Sequence, residues 1–333
     1  MSVYFTDTDP TMRARASSGP LGQAALAALR APSVFNTQPW RWELHDGVAD
    51  LRAELGRRLP ALDPDSRLLV VSCGTALNHA VVSLAAGGHA VAVHRLPDPD
   101  DATLLARLVL TGRRTPEPMD LRMAQATTVR RTDRRPFSAI PVPEESIETL
   151  RAAAERHGAH LQFLRDDQVV ELTVAASHAS DAEITDRRYR AELSAWTHRP
   201  PGSADGVPVT GAVSTVPRRV PVRDFAPGDH ATLDPGEDSD AGTRYAILFT
   251  DADTPTDWLI AGEAMSAVLL TAVCSGLASS PMSDVTEVPS VRQSLRQLLS
   301  GLGWPVLALR FGIVHRPGEV PRTPRRTPGE ESS

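Results

Sequence analysis

Two short stretches of this chain carry residue types that can hold a flat, anionic small molecule. The first is Ala31-Pro32-Ser33-Val34-Phe35-Asn36-Thr37-Gln38-Pro39-Trp40. Pro32 and Pro39 fix the backbone at both ends of a turn, and Ser33, Asn36, Thr37 and Gln38 place hydroxyls and amides within it. Such a turn suits a planar heterocycle, whose edge carries donors and acceptors and whose faces accept apolar packing. The same residues also describe an ordinary turn in which Asn36 bonds its own backbone. The second stretch is Arg130-Arg131-Thr132-Asp133-Arg134-Arg135. Alternate guanidinium groups there can converge on one anion in forked geometry, the alternative being a solvated basic run. Two further places qualify. Ala278-Ser279-Ser280-Pro281-Met282-Ser283-Asp284 offers small side chains and free amides in a bend, and Arg310 interrupts the apolar run Val306 to Gly312. An arginine in a buried strand needs an anionic partner, a carboxylate or a phosphate.

Composition narrows the chemistry. The 35 basic residues are all arginine, which excludes a lysine Schiff base and a lysine phosphate loop. Any phosphate must then be held by arginine, backbone amides or hydroxyls. A net charge of −6 does not favour a nucleic-acid surface. Cys73 and Cys274 lie in apolar, helix-like runs and are expected as buried thiols, not metal ligands. No membrane span or signal peptide is evident, so a cytoplasmic location is expected. No hydrolase or metal motif stands out.

The elements that must position these residues follow from periodicity. Helices are expected at 18–30, 68–84, before the arginine cluster, at 144–157, 167–196, 256–277 and 288–299. Trp40, Trp42 and Leu44 alternate with polar neighbours, predicting a strand, and Asp46-Gly47 a hairpin turn. Further strands are expected at 90–95, 104–110, 160–164, 245–250 and 306–314. Helices interspersed with short strands indicate an α+β fold. The chain divides into a disordered N-terminus (1–17), a first half (18–118), a second half (119–316) and a disordered, proline-rich charged tail (317–333). The two halves echo each other in layout, each with a long apolar helix of small residues. The Pro-, Gly-, Asp- and Ser-rich stretch 197–242 is expected as a lid or a disordered loop.

Ala-Pro-Ser-x-x-Asn-x-Gln-Pro-Trp at 31–40 and Arg-Arg-Thr-x-Arg at 130–134 resemble the two most recognisable motifs of the nitroreductase superfamily of FMN flavoproteins. Their order is inverted relative to ordinary members, whose homodimers share each FMN between subunits. The resemblance therefore implies a fused pseudo-dimer, the turn coming from one half and the arginines from the other, with a single complete site and a monomeric chain. Val222-Arg223-Asp224-Phe225 and Asp186-Arg187-Arg188-Tyr189-Arg190-Ala191-Glu192-Leu193 resemble the Acg-like subgroup of actinobacterial proteins, which implies that 197–242 covers the flavin. By the same resemblance Arg130, Arg131, Thr132, Arg134 and Arg310 would hold the FMN phosphate. Pro32, Ser33, Val34, Asn36 and Gln38 would line the ring and ribityl chain, and Pro281, Met282 and Ser283 would approach the flavin's N5 edge. Ser283 stands where many members have an acid. The implied activity is oxidoreduction, with NAD(P)H passing hydride to the flavin and on to an acceptor; no side chain need act as catalyst. The alternatives are FMN sequestration with little turnover and dehydrogenation of a specialised metabolite. Expected partners are small molecules, with neither nucleic acid nor membrane.

Overall fold

The computed structural model describes residues 3–5, 19–200, 202–213, 216–226, 231–315 and 320–327. In chain order the elements are β1 (Val3–Phe5), α1 (Pro20–Ala28), β2 (Trp40–His45), β3 (Val48–Ala53), α2 (Arg67–Ala86), β4 (His89–Arg95), β5 (Leu104–Arg113) and α3 (Pro118–Val129). Then come α4 (Glu144–Glu155), β6 (His160–Phe163), α5 (Asp166–Thr185), α6 (Arg187–Thr197), β7 (Arg244–Thr250), α7 (Pro255–Cys274), β8 (Ala278–Met282), the short turn α8 (Asp284–Glu287), α9 (Pro289–Leu298) and β9 (Trp304–Gly312). They form two sheets, ordered β1-β2-β3-β5-β4 and β6-β7-β9-β8. Every pairing is antiparallel except β1 with β2. The fold class is α+β, as expected.

In the first sheet the two-residue period of β2 buries Trp40, Trp42 and Leu44 beneath α1 and α2. The outward residues pair instead: Arg52 with Glu43 at 2.7 Å and Arg107 with Asp50 at 2.7 Å. The second sheet is covered on both faces. Leu248, Leu307 and Leu309 pack with α4 and α7, while Tyr245, Ile247 and Ala308 pack with α5 and α9. That double coverage explains the continuous apolar run of β9.

The long helices α2 and α7 are apolar on nearly all sides because each lies between its own sheet and the other helix. By length and hydropathy either is able to cross a membrane, yet each is mostly buried inside the protein. They meet at Gly74 and Gly262. A Cβ on Gly74 would lie 2.2 Å from the Leu259 carbonyl oxygen, and one on Gly262 would lie 2.1 Å from that of Val71. Each glycine thus receives the carbonyl three residues before the other.

Several expectations are corrected. The helix expected at 167–196 is two, because the Asp186 carboxylate caps a new start by accepting from the Arg188 and Tyr189 amides. Ala278–Met282 is no bend with free amides but a strand, with Ser280 opposite Arg310. Val3–Phe5 form a strand within the N-terminus expected to be disordered; residues 6–18 lie outside the described set. Cys73 is buried, whereas Cys274 is only half-buried.

Candidate functional site

The turn at 31–40 is strained. Phe35, Asn36 and Gln38 all adopt left-handed backbone angles, with φ of 48°, 55° and 48°, a conformation costing on the order of 1–3 kcal/mol per residue unless packing over-determines it. Here packing does. The Gln38 amide donates to Ser33 Oγ at 2.9 Å and the Val34 amide to Ser72 Oγ at 3.2 Å. From α2, Thr75 Oγ1 donates to the Pro32 carbonyl at 2.5 Å. Ser72 and Thr75 therefore hold the turn in place; neither was a candidate by sequence, because a hydroxyl inside an apolar helix carries no signal of its own.

The arginine stretch leaves α3 in extended conformation and is pinned to β8 by the Asp133 amide, which donates to Ser279 O at 3.1 Å. Beneath it lies Arg310, fully buried. Its guanidinium donates to the Asp133 and Arg135 carbonyls at 2.8 Å each and to Asp240 at 3.0 Å, and it stacks on Phe137 at 4.2 Å. Arg310 thus supports the arginine stretch from below, with Asp240 as its carboxylate partner, and it lines neither the cleft nor the recess described next.

The two motifs come together. Pro32, Ser33 and Val34 form one wall of a cleft, Thr132 and Arg134 the other, and Pro281 and Ser283 its end. Leu68 and Val71 from α2 and Met265 from α7 line it as well. Arg223 and Phe225 lie over it. The Arg134 guanidinium sits 4.3 Å from the Phe225 ring, which meets Phe35 edge-on at 5.9 Å.

Thr132 also belongs to an adjoining open recess, lined by Arg30, Arg130, Arg131, Arg322 and Arg325 with Thr127, Thr128 and Thr323. Among the described residues no acidic side chain lines it. Arg130 is buried, and its Nε and Nη1 lack hydrogen-bond partners, as does Nε of Arg325. Burial, then the like charges of Arg325 and Arg131, pulls the Arg130 pKa down to about 9. Buried guanidinium donors without partners are costly, and an anion is what relieves them.

Asn36 and Gln38 do not line the cleft, a second correction. Asn36 donates to the Gly206 and Pro324 carbonyls at 3.0 Å each and accepts from Arg325 at 2.7 Å. Gln38 donates to Ala204 O at 2.9 Å and accepts from the Arg326 amide at 3.0 Å. They tie two distant segments to the turn. One is 204–206 and the other is 320–327, part of the tail expected to be disordered. Arg326, buried, also meets Glu54 at 2.6 Å. Met282 lies in a smaller side chamber instead of the main cleft. The tail arginines were missed because proline and charge read as disorder; their signal was the presence of Arg322 and Arg325 in a chain that has no lysine to pair with phosphate. Deleting residues 320–333 is expected to lower anion affinity at the recess by at least tenfold, measured by titrating the truncated and full chains with inorganic phosphate and with FMN.

Arg223 is anchored from behind the cleft. It donates to Glu183 at 2.8 Å and to Glu287 at 2.5 Å, while the Tyr189 hydroxyl donates to Glu287 at 3.0 Å. Burial works against the charge of Arg223, but Glu287, Tyr189 and Glu183 more than offset it. Burial pushes Glu287 up to about 7 and Asp284 up to about 6, in both cases against the pull of Arg223. Both values lie above the ordinary carboxyl range, so the folded state keeps protons that the unfolded chain releases. Their contribution to stability is full below about pH 4 and is lost as pH rises toward 7. The Glu287→Gln variant is therefore expected to gain in urea midpoint relative to the parent between about pH 5 and pH 8; a difference independent of pH would refute the assignment.

An apolar cleft joined to a cationic recess defines a protein built to hold a flat molecule by its ring and by its anionic group. No family model matches the chain. Among curated proteins, "Putative NAD(P)H nitroreductase Rv3131" of Mycobacterium tuberculosis is 38% identical over 305 residues, 90% of this chain and 87% of that protein. "Putative NAD(P)H nitroreductase acg" of the same organism is 32% identical over 313 residues, 91% and 92% of the two chains. This chain belongs to their family, the Acg-like nitroreductases. Among solved structures, the FMN-dependent nitroreductase NfnB from Mycobacterium smegmatis in complex with NADPH matches with TM-score 0.41 at 17% identity, covering 63% of this chain and 98% of that one. A nitroreductase with bound FMN from Bacteroides fragilis matches with TM-score 0.39 at 12% identity, covering 63% and 97%.

Proposed function

We propose that this chain is an FMN-dependent oxidoreductase with a single flavin site between two related halves of one polypeptide. The observation that carries this reading is the junction at Thr132 of an apolar cleft and an arginine recess whose buried donors lack partners. FMN fits both ends: Arg130, Arg325 and Thr132 would hold its phosphate, and Pro32, Ser33 and Val34 would pack its ring. When bound, FMN would supply the redox chemistry, taking hydride from NAD(P)H and passing it to an acceptor. The chain's own residues bind and orient it, and Arg223 and Phe225 keep water from the cleft. We take 197–242 as the lid, anchored through Arg223 and through the bonds of Asn36 and Gln38 to 204–206. The reciprocal Gly74–Gly262 contact supports two halves related as in a two-fold dimer, and hence a monomeric chain.

The test is spectroscopic. The purified protein is expected to bind FMN and to bleach in its visible bands when NADPH or NADH is added without oxygen. Failure to bind FMN would sink the proposal. A second reading, sequestration, is favoured by one observation: Phe225, held against Arg134, takes up space in the lining of the cleft that a second ring would need. Bound FMN that neither nucleotide bleaches would establish it over the first.

A further inference from the structure

The arginine recess gathers more positive charge than one phosphate monoester answers. Five guanidinium groups line it, with no carboxylate among the described residues. They border an open space of about 260 Å³, and a single phosphate group fills only part of it.

The five arginines differ in what already holds them. Arg131 closes the end of α3, its Nη1 donating to the Thr128 and Arg130 carbonyls at 3.1 and 2.8 Å, where the helix carries partial negative charge. Arg130 and Arg325 form an inner pair. Arg130 is buried with Nε and Nη1 unpartnered, and Arg325 is tied by Nη1 to Asn36 at 2.7 Å with its Nε unpartnered. Burial, and then the like charge of Arg131, pulls Arg325 down to about 10, so it stays charged at neutrality, as does Arg130 at about 9. Arg30 and Arg322 form a second pair, exposed at the rim. The hydroxyls of Thr127 and Thr128 are spent on the Ala124 and Gln125 carbonyls at 2.7 and 2.8 Å, which leaves the guanidinium groups as the main donors.

The phosphate of FMN would answer the inner pair and leave the rim pair unanswered. We propose that the recess is also a site for a terminal diphosphate, free or carried on a nucleoside. One of its phosphates takes Arg130 and Arg325, the other takes Arg30 and Arg322, and the molecule competes with FMN for the inner pair. The competition rests on the flavin reading above; the diphosphate site does not. A terminal diphosphate bears more negative charge than a monoester and spreads it over two linked groups, which suits two tiers of forked donors. A rise in diphosphate would then lower the share of chains that hold flavin.

The test titrates the full, flavin-free chain by calorimetry with inorganic phosphate, inorganic pyrophosphate, AMP and ADP. Pyrophosphate is expected to bind at least about tenfold more tightly than phosphate, and ADP than AMP, with the advantage shrinking as salt is added. ADP binding more tightly than pyrophosphate would assign the nucleotide; equal or weaker binding would assign the free anion. In the Arg30→Ala, Arg322→Ala double variant the advantage of pyrophosphate over phosphate is expected to fall to about threefold or less. Both side chains are exposed, so an unchanged melting curve is expected to confirm that the fold is intact. Pyrophosphate binding no tighter than phosphate would overturn the proposal, and so would a double variant that keeps the parent's advantage. Pyrophosphate that binds without displacing bound FMN would overturn it too, by placing the anion elsewhere. A chain that binds pyrophosphate but not FMN would remove the flavin reading and leave the diphosphate site standing.

Discussion

Replacing Arg130 by alanine is expected to raise the dissociation constant for FMN by about 10- to 100-fold while leaving that for riboflavin nearly unchanged. Arg130 lies buried in the recess with two donor nitrogens unpartnered. Riboflavin has the same ring and ribityl chain but no phosphate, so a grip on the anion discriminates between the two. Charge-assisted hydrogen bonds contribute about 1.5–3 kcal/mol each, which sets the size of the effect. The same substitution is expected to leave the flavin-free protein as stable as the parent or more so, because it removes a desolvated charge without an anionic partner. Calorimetric titration with both ligands and a denaturation curve without ligand check all three statements. Equal losses for FMN and riboflavin would mean a damaged fold, and unchanged FMN affinity would mean that the phosphate lies elsewhere.

Gly74→Ala is expected to be severely destabilising. The new methyl group would sit 2.2 Å from the Leu259 carbonyl oxygen and 2.9 Å from the Gly262 Cα. Both are backbone atoms of the partner helix, so nothing flexible can move aside and α2 and α7 must separate. Overpacking typically costs about 1–3 kcal/mol, and a rigid backbone contact falls at the upper end, enough to lower Tm by roughly 5–10 °C in a chain of this length. Part of the cleft lining comes from these helices through Leu68, Val71 and Met265, so flavin affinity should fall with stability. Gly56→Ala is the control. Its Cβ would meet nothing within 4 Å and its backbone is not left-handed, so its Tm should stay within about a degree of the parent. Equal melting of the two variants would contradict the packing described for the helix pair.

The sequence was most legible where residue type alone decides the outcome. The alternation of Trp40, Trp42 and Leu44 placed β2 and its buried face, and the two motifs at 31–40 and 130–135 do wall one cleft. It was least legible where direction matters. Asn36 and Gln38 carry donors and acceptors suited to a heterocycle, yet backbone angles in the left-handed region turn them away toward 204–206 and 320–327. Arg310 was rightly read as needing an anion, but Asp240, seventy positions away, is invisible as its partner until the chain folds. The tail failed for a different reason. Proline and charge argue against a core of its own, and 320–327 has none; it borrows order from the turn it crosses.

That borrowed order has a consequence for how the protein is made. Residues 320–327 leave the ribosome after everything else that builds the recess. A nascent chain can complete both sheets and lock the helix pair before Arg322 and Arg325 exist outside the exit tunnel. Until then the recess has only Arg30, Arg130 and Arg131, and the turn has no strap across Asn36. The full set of recess arginines is therefore assembled last, once the chain has run past Arg325.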